Sequence, residues 1–196
     1  MKSIVIAVVF SIMLVLTVAF VREMPAQAPA PTDESQVKQG LAISPVPLDL
    51  RGKNRALVAL GCYLVNAVSE CNDCHTRPYY KLGGNPFKGQ QEQINTEGYL
   101  AGGNQFGPFT SPNLTPDSVT GLPAGLTLDE FMHLMRTGET DDHPAFGPLL
   151  QVMPWPTFRK MTNHDLRAIY EYLSAIPSRP DNPNPGECCP GDPSEL

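Results

Sequence analysis

Three stretches of the chain carry apolar residues at helical spacing. Leu57, Leu60, Gly61, Leu64, Val65 and Val68 mark one buried face of a helix over residues 54–68. Gly61 weakens that helix at its middle but permits close approach by another. A second helix spans 127–137. Thr127 and Glu130 form a capping box, Leu126 and Phe131 a hydrophobic staple, and Gly138 ends it. Phe131, Leu134 and Met135 share its apolar face. A third helix runs over 162–175, opened by Thr162 with Asp165 and stopped by Pro177. Its stripe is Leu166, Ile169, Tyr170 and Leu173. Between the first two helices, residues 76–126 show no period and are broken by repeated Gly and Pro. A short hairpin is expected around residues 93–100. So long an irregular segment is unusual in a compact domain unless it wraps something buried.

Residues 4–21 are different in kind. They form an 18-residue apolar run broken only by Ser11 and Thr17. As a helix the run would span about 27 Å, close to the hydrocarbon thickness of a bilayer. The small-residue patterns at Ala26-Gln27-Ala28 and Ala28-Pro29-Ala30 are each followed by proline, which is unfavourable for a signal peptidase. An uncleaved transmembrane anchor over residues 1–23 is therefore preferred to a signal peptide. Either way the remainder is expected on the exported, periplasmic side, membrane-anchored in the first case and soluble in the second. Residues 24–48, with five prolines among Ala, Gln and Ser, read as a semi-extended linker. Its reach would be about 75 Å as polyproline II and nearer 30 Å as a coil.

The polar chemistry concentrates in Cys71-Asn72-Asp73-Cys74-His75. This spacing suits covalent attachment of haem c: two thiols add across two vinyl groups, and the adjacent histidine supplies an imidazole to the iron. A redox disulfide or half of a zinc site would also use Cys-x-x-Cys. Neither a βαβ context nor a well-spaced second ligand pair accompanies it here. A backbone carbonyl soon after His75, for example that of Pro78 or Pro86, is expected to accept from the other ring nitrogen.

Iron needs a sixth ligand if it is to stay closed to exogenous ones. Met153, in the proline-stiffened loop Met153-Pro154-Trp155-Pro156, is the leading candidate, and its soft sulfur would raise the reduction potential. Met161 is the rival, a histidine such as His143 the next, and an open site the remaining alternative. Met132 and Met135 read as core residues. His133 and His164 read as surface residues.

Composition adds two constraints. The chain has 196 residues with 21 Pro, 16 Gly and 17% charged residues, so one domain with long irregular connections is expected. The formal charge of -6 is misleading. Residues 50–180 contain 11 Lys or Arg and 12 Asp or Glu, a net of -1, while residues 181–196 add four acids and no base. A nearly neutral body argues against a nucleic-acid partner. The domain is expected over 49–178, followed by a proline-rich acidic tail over 179–196.

The helix leading into the haem motif and the terminal helix resemble the pair that cross in class I c-type cytochromes. A narrower resemblance rests on Ser111-Pro112-Asn113-Leu114-Thr115-Pro116-Asp117, Arg136-Thr137-Gly138, Met153-Pro154-Trp155 and the run from Asp165 to Leu173. These segments are similar to the cytochrome c modules that accompany quinoprotein alcohol dehydrogenases and related periplasmic dehydrogenases, over roughly residues 53–178. The resemblance implies a mainly α, cytochrome c-like fold around one covalent haem. It makes Cys71 and Cys74 the thioether residues, His75 and Met153 the axial ligands, and Arg136 and Trp155 neighbours of the haem propionates. One motif stands here where those subunits commonly carry three.

Cys62, Cys188 and Cys189 remain; in an oxidising compartment a bridge from Cys62 to Cys188 or Cys189 and a buried, unbridged Cys62 beside a frayed tail are equally expected. The whole reads as a membrane-tethered monohaem electron carrier, not itself an enzyme, between redox proteins such as a dehydrogenase, an oxidase or another respiratory or photosynthetic complex. A fixed subunit of a larger membrane oxidoreductase is the alternative. An open sixth position would instead indicate a haem peroxidase or gas sensor.

Overall fold

The computed structural model describes residues 34–140 and 144–182. The apolar run over 4–21, His143, Cys188 and Cys189 lie outside them. Among the described residues, no helix is long and apolar enough to cross a membrane.

The framework is one central helix with two others packed against it, among six α-helices in the described residues. Helix α1 is Glu34–Ile43, and α2 is Arg55–Tyr63, continuing through a wider, π-helical turn Leu64–Val68. Asn54 opens α2 by accepting from the backbone N–H groups of Ala56 and Leu57. The π turn closes where Ser69 N donates to Leu64 O, 2.8 Å away. Helix α3 is the single turn Cys71–His75, α4 is Leu128–Thr137, α5 is the short Trp155–Phe158, and α6 is Asn163–Leu173. Thr127 with Glu130, and Thr162 with Asp165, form reciprocal capping boxes at the starts of α4 and α6.

Helix α2 lies at the centre because two glycines remove the side chains that would hold its neighbours away. A Cβ on Gly61 would sit 1.9 Å from Ala168 O of α6, and a Cβ on Gly40 of α1 would sit 1.9 Å from Ala59 O of α2. Each pair of backbones is therefore in direct contact. The core between them holds Val58, Cys62, Val65, Leu166, Ile169, Tyr172 and Leu173, all at most 3% exposed.

Three expectations are corrected. Residues 34–48 are not an extended spacer: α1 packs on α2, and Val46 is buried in the core. The helix was not legible because its hydrophobic stripe is weak and its docking depends on a glycine. The hairpin lies later than expected. It comprises β1, Gln105–Phe106, and β2, Phe109–Thr110, joined by Gly107-Pro108, with Phe106 opposite Phe109. The segment around Tyr99 instead buries Tyr99, Leu100 and Ala101 consecutively, which an alternating hairpin strand could not do. Finally, the domain continues past residue 178. Arg179 N donates to Thr115 Oγ1, Asn113 Nδ2 donates to Arg179 O, and Asn182 donates to Gly98 O, Gly102 O and Ala101 O.

Candidate haem site

The path from α2 into α3 is set by one reversal. Glu70 adopts a left-handed conformation, φ 51°, and the chain turns directly into α3. In a single helical turn, residues i, i+3 and i+4 share a face. Cys71, Cys74 and His75 therefore project to one side of α3, which is what two thioether bonds and one axial ligand on the same porphyrin require.

Backbone carbonyls at the end of so short a helix have no partners within it. Side-chain and strap contacts supply them. Asn104 Nδ2 donates to Asp73 O, Cys74 O and Thr76 O at 3.2, 3.0 and 3.1 Å. Gly102 N donates to His75 O at 2.8 Å, and Leu100 N donates to the buried Thr76 Oγ1 at 3.0 Å. Residues 98–104 thus form a strap along the motif. Sequence reasoning missed Asn104. Its only signal was an amide residue after Gly102-Gly103.

His75 is buried, and its Nδ1 lies 2.8 Å from Pro112 O. A carbonyl oxygen only accepts, so Nδ1 carries the proton and the lone pair resides on Nε2. Burial pulls the ring's pKa below its ordinary value, against a smaller opposing effect of the Pro112 hydrogen bond. The imidazole is therefore held neutral, in the tautomer that leaves Nε2 available to a metal. The acceptor is neither Pro78 nor Pro86. Proximity in sequence was a poor guide, because residues 76–95 turn away and residues 98–112 come back past the ring.

Burial raises the Cys74 thiol and pushes that of Cys71 up to about 12. Both cysteines are free and half-buried. Cys71, Met153, Met161, Leu57, Leu114, Leu126, Met132 and Phe158 all lie partly exposed against the apolar core. Thiols, a neutral imidazole with a free Nε2, and a set of incompletely covered apolar side chains fit a covalently bound haem. A separate cleft, lined by Asp73, Arg77, Tyr79, Tyr80, Lys81 and Asn104, includes neither Cys71, Cys74 nor His75.

The chain between α4 and α6 places the other sequence candidates. Met153 is half-buried at the edge of the core. Trp155 covers Gly138, where a Cβ would lie 2.5 Å from the indole ring atoms. The Arg136 side chain reaches forward from α4: Nη1 donates to Arg159 O and, at 2.7 Å, to Met161 O, and Nη2 donates to Asn163 Oδ1 at 2.7 Å.

About two thirds of this chain matches curated proteins of one kind. The cytochrome c subunit of the quinone-type alcohol dehydrogenase of Gluconobacter oxydans is 31% identical over 138 residues, 66% of this chain and 26% of that protein. Its counterpart in Komagataeibacter europaeus is 30% identical over 126 residues, 63% of this chain and 25% of that protein. The fructose dehydrogenase cytochrome subunit of Gluconobacter japonicus is 28% identical over 122 residues, 62% and 22% of the respective chains. The chain is homologous to the cytochrome c subunits of these dehydrogenases. It spans about a quarter of their length. No family model matches it. The mainly helical fold, with a haem-type motif between α2 and the strap, is consistent with a cytochrome c-type domain.

The remaining candidates are accounted for locally. Met135 is buried in the core, and His133 is exposed and paired with Glu139 at 2.7 Å. His164 is exposed in the first turn of α6. Cys62 is a fully buried free thiol. Asn66 Nδ2 donates to both Cys62 O and Sγ.

Proposed function

We propose that this chain is a monohaem cytochrome c that passes single electrons to or from a dehydrogenase. The observation that carries this reading is the His75–Pro112 hydrogen bond within a Cys-x-x-Cys-His turn. It prepares a neutral imidazole whose Nε2 is free, on the same face as two thiols. Cys71 and Cys74 would attach one haem c, and His75 and Met153 would be its axial ligands. The group supplies a reversible one-electron Fe(III)/Fe(II) couple. The protein contributes ligand geometry, an apolar surround and a surface for partners. His75 is held in one tautomer by Pro112 O. Asn104 fixes the end of the turn that presents both cysteines. Met153, offered from a loop with prolines on either side of Trp155, would close the sixth position. No acid, base or nucleophile is required of the chain.

Membrane anchoring through residues 4–21, with the domain on the periplasmic side, is part of the same proposal. Docking of α1 supports a fixed subunit over a free shuttle. Only 12 residues, 22–33, separate the apolar run from α1, and fully extended they reach about 40 Å. That is roughly half the reach expected if residues 24–48 were all linker. A fixed subunit would co-purify with its dehydrogenase in salt, whereas a free carrier would dissociate.

The test is an optical spectrum of the purified protein, oxidised and then reduced with and without carbon monoxide, beside Met153→Ala. Methionine ligation gives the oxidised wild type a weak long-wavelength band and makes the reduced form indifferent to carbon monoxide. The variant loses the band and binds the gas. Rapid carbon monoxide binding by the wild type would replace the electron carrier with a peroxidase or sensor.

A further inference from the structure

From the geometry at the end of α4, we infer that Arg136 is a positioning residue that holds the Met153 loop in place. The inference rests on the reading of Met153 as sixth ligand. Between the described ends of the 144–163 segment, little side-chain burial fixes the loop: Gln151, Val152, Pro154, Pro156 and Thr157 are all exposed. Met153 would sway if nothing else restrained its neighbours.

The restraints come from the last turn of α4 and the residues just after it, and act on both sides of Met153. Upstream, Leu150 N donates to Gly138 O and Thr140 N donates to Pro148 O, each at 2.8 Å. Immediately downstream, the indole of Trp155 rests on Gly138, and Trp155 N donates to Met153 O at 2.8 Å. Further downstream, Arg136 engages Arg159 O, Met161 O and Asn163 Oδ1. The planar guanidinium thereby joins α4 to the carbonyls between α5 and α6 and to the first residue of α6. Arg159 lies over the Trp155 ring, 5.9 Å from its centroid, and adds to the same cluster. Arg136 thus ties the three helical pieces around Met153 together. Lysine, with one ammonium on a flexible stem, would meet only part of this acceptor set.

The experiment compares wild type, Met153→Ala, Arg136→Gln and Arg136→Lys as purified haem-loaded proteins. It reads the long-wavelength band of the oxidised forms, carbon monoxide affinity of the reduced forms, and helix content by circular dichroism. Carbon monoxide binds only the fraction with methionine displaced, so its apparent affinity reports that fraction. Arg136→Gln is expected to weaken the band and raise carbon monoxide affinity by about tenfold with helix content unchanged, and Arg136→Lys to fall between it and wild type. If wild type shows no band, or Met153→Ala keeps it, the ligand reading fails. If Met153→Ala loses the band while both Arg136 variants match wild type, the ligand reading stands and the positioning role is overturned. If Arg136→Gln does not fold, Arg136→Lys decides by the same band and affinity, an unchanged pair of values overturning the inference.

Discussion

His75 Nδ1 lies 2.8 Å from the carbonyl oxygen of Pro112, a residue 37 positions further along the chain. The contact joins the haem motif to the far end of the long irregular segment. It works only while residues 98–112 stay against α3. That segment is held by Asn104, by Gly102 N on His75 O and by Leu100 N on Thr76 Oγ1.

Asn104→Ala should therefore loosen the strap and leave the carbonyls of α3 without their shared donor. Hydrogen bonds of this partly exposed kind contribute about 0.5–1.5 kcal/mol each. The expected result is a lower melting temperature and a smaller fraction of chains with covalent haem, read as haem absorbance per protein. A variant with wild-type haem content and stability would show that the strap holds without Asn104.

Gly61→Ala and Gly40→Ala should separate in their effects, although each places a Cβ 1.9 Å from a carbonyl oxygen. The α2–α6 contact is the centre of the core, so Gly61→Ala should destabilise the domain by about 3 kcal/mol or prevent folding. Helix α1 has ten residues and buries only Gly40. Gly40→Ala should release α1 alone. Limited proteolysis would then cut within residues 34–48, while the remaining domain melts within a few degrees of wild type.

Buried Tyr99, Tyr172 and Cys62 form a polar cluster with the half-buried Asn66. Tyr99 Oη donates to Asn66 Oδ1 at 2.6 Å, and its oxygen is 2.9 Å from Tyr172 Oη. Tyr99→Phe removes that donor from the half-buried Asn66 Oδ1 and should cost about 1 kcal/mol. Burial also raises the Cys62 thiol. Alkylation of Cys62 should be undetectable in the folded protein and rapid in denaturant, checked by mass spectrometry.

The capping box of α4 predicts an acid limb. Hydrogen bonds from the Thr127 hydroxyl, and then from its backbone N–H, hold the Glu130 carboxyl below its ordinary value of 4.5. A depressed carboxyl contributes fully above that value, and the contribution is lost as pH falls through and below it. Thr127→Ala should lower the melting temperature by about 3 °C at neutral pH, and the gap to wild type should narrow below pH 4.5. Equal gaps at pH 7 and pH 3 would argue against the coupling.

The helices that carry local signals were legible in the sequence. Periodicity and capping boxes placed α2, α4 and α6, and Gly61 announced a close crossing, because each depends on residues within a turn or two of one another. The Cys-x-x-Cys-His chemistry was legible for the same reason: the spacing is local. Tertiary structure decided the rest. Helix α1 exists as a docked element because Gly40 meets Ala59, and its own stripe is too weak to announce it. The partner of His75 lies 37 residues away, and Asn104 caps a helix about 30 residues earlier in the chain. Arg136 reaches carbonyls beyond α5, 23 and 25 residues further along the chain. Such contacts depend on how an irregular segment returns to the core, and no period or spacing along the chain encodes that return.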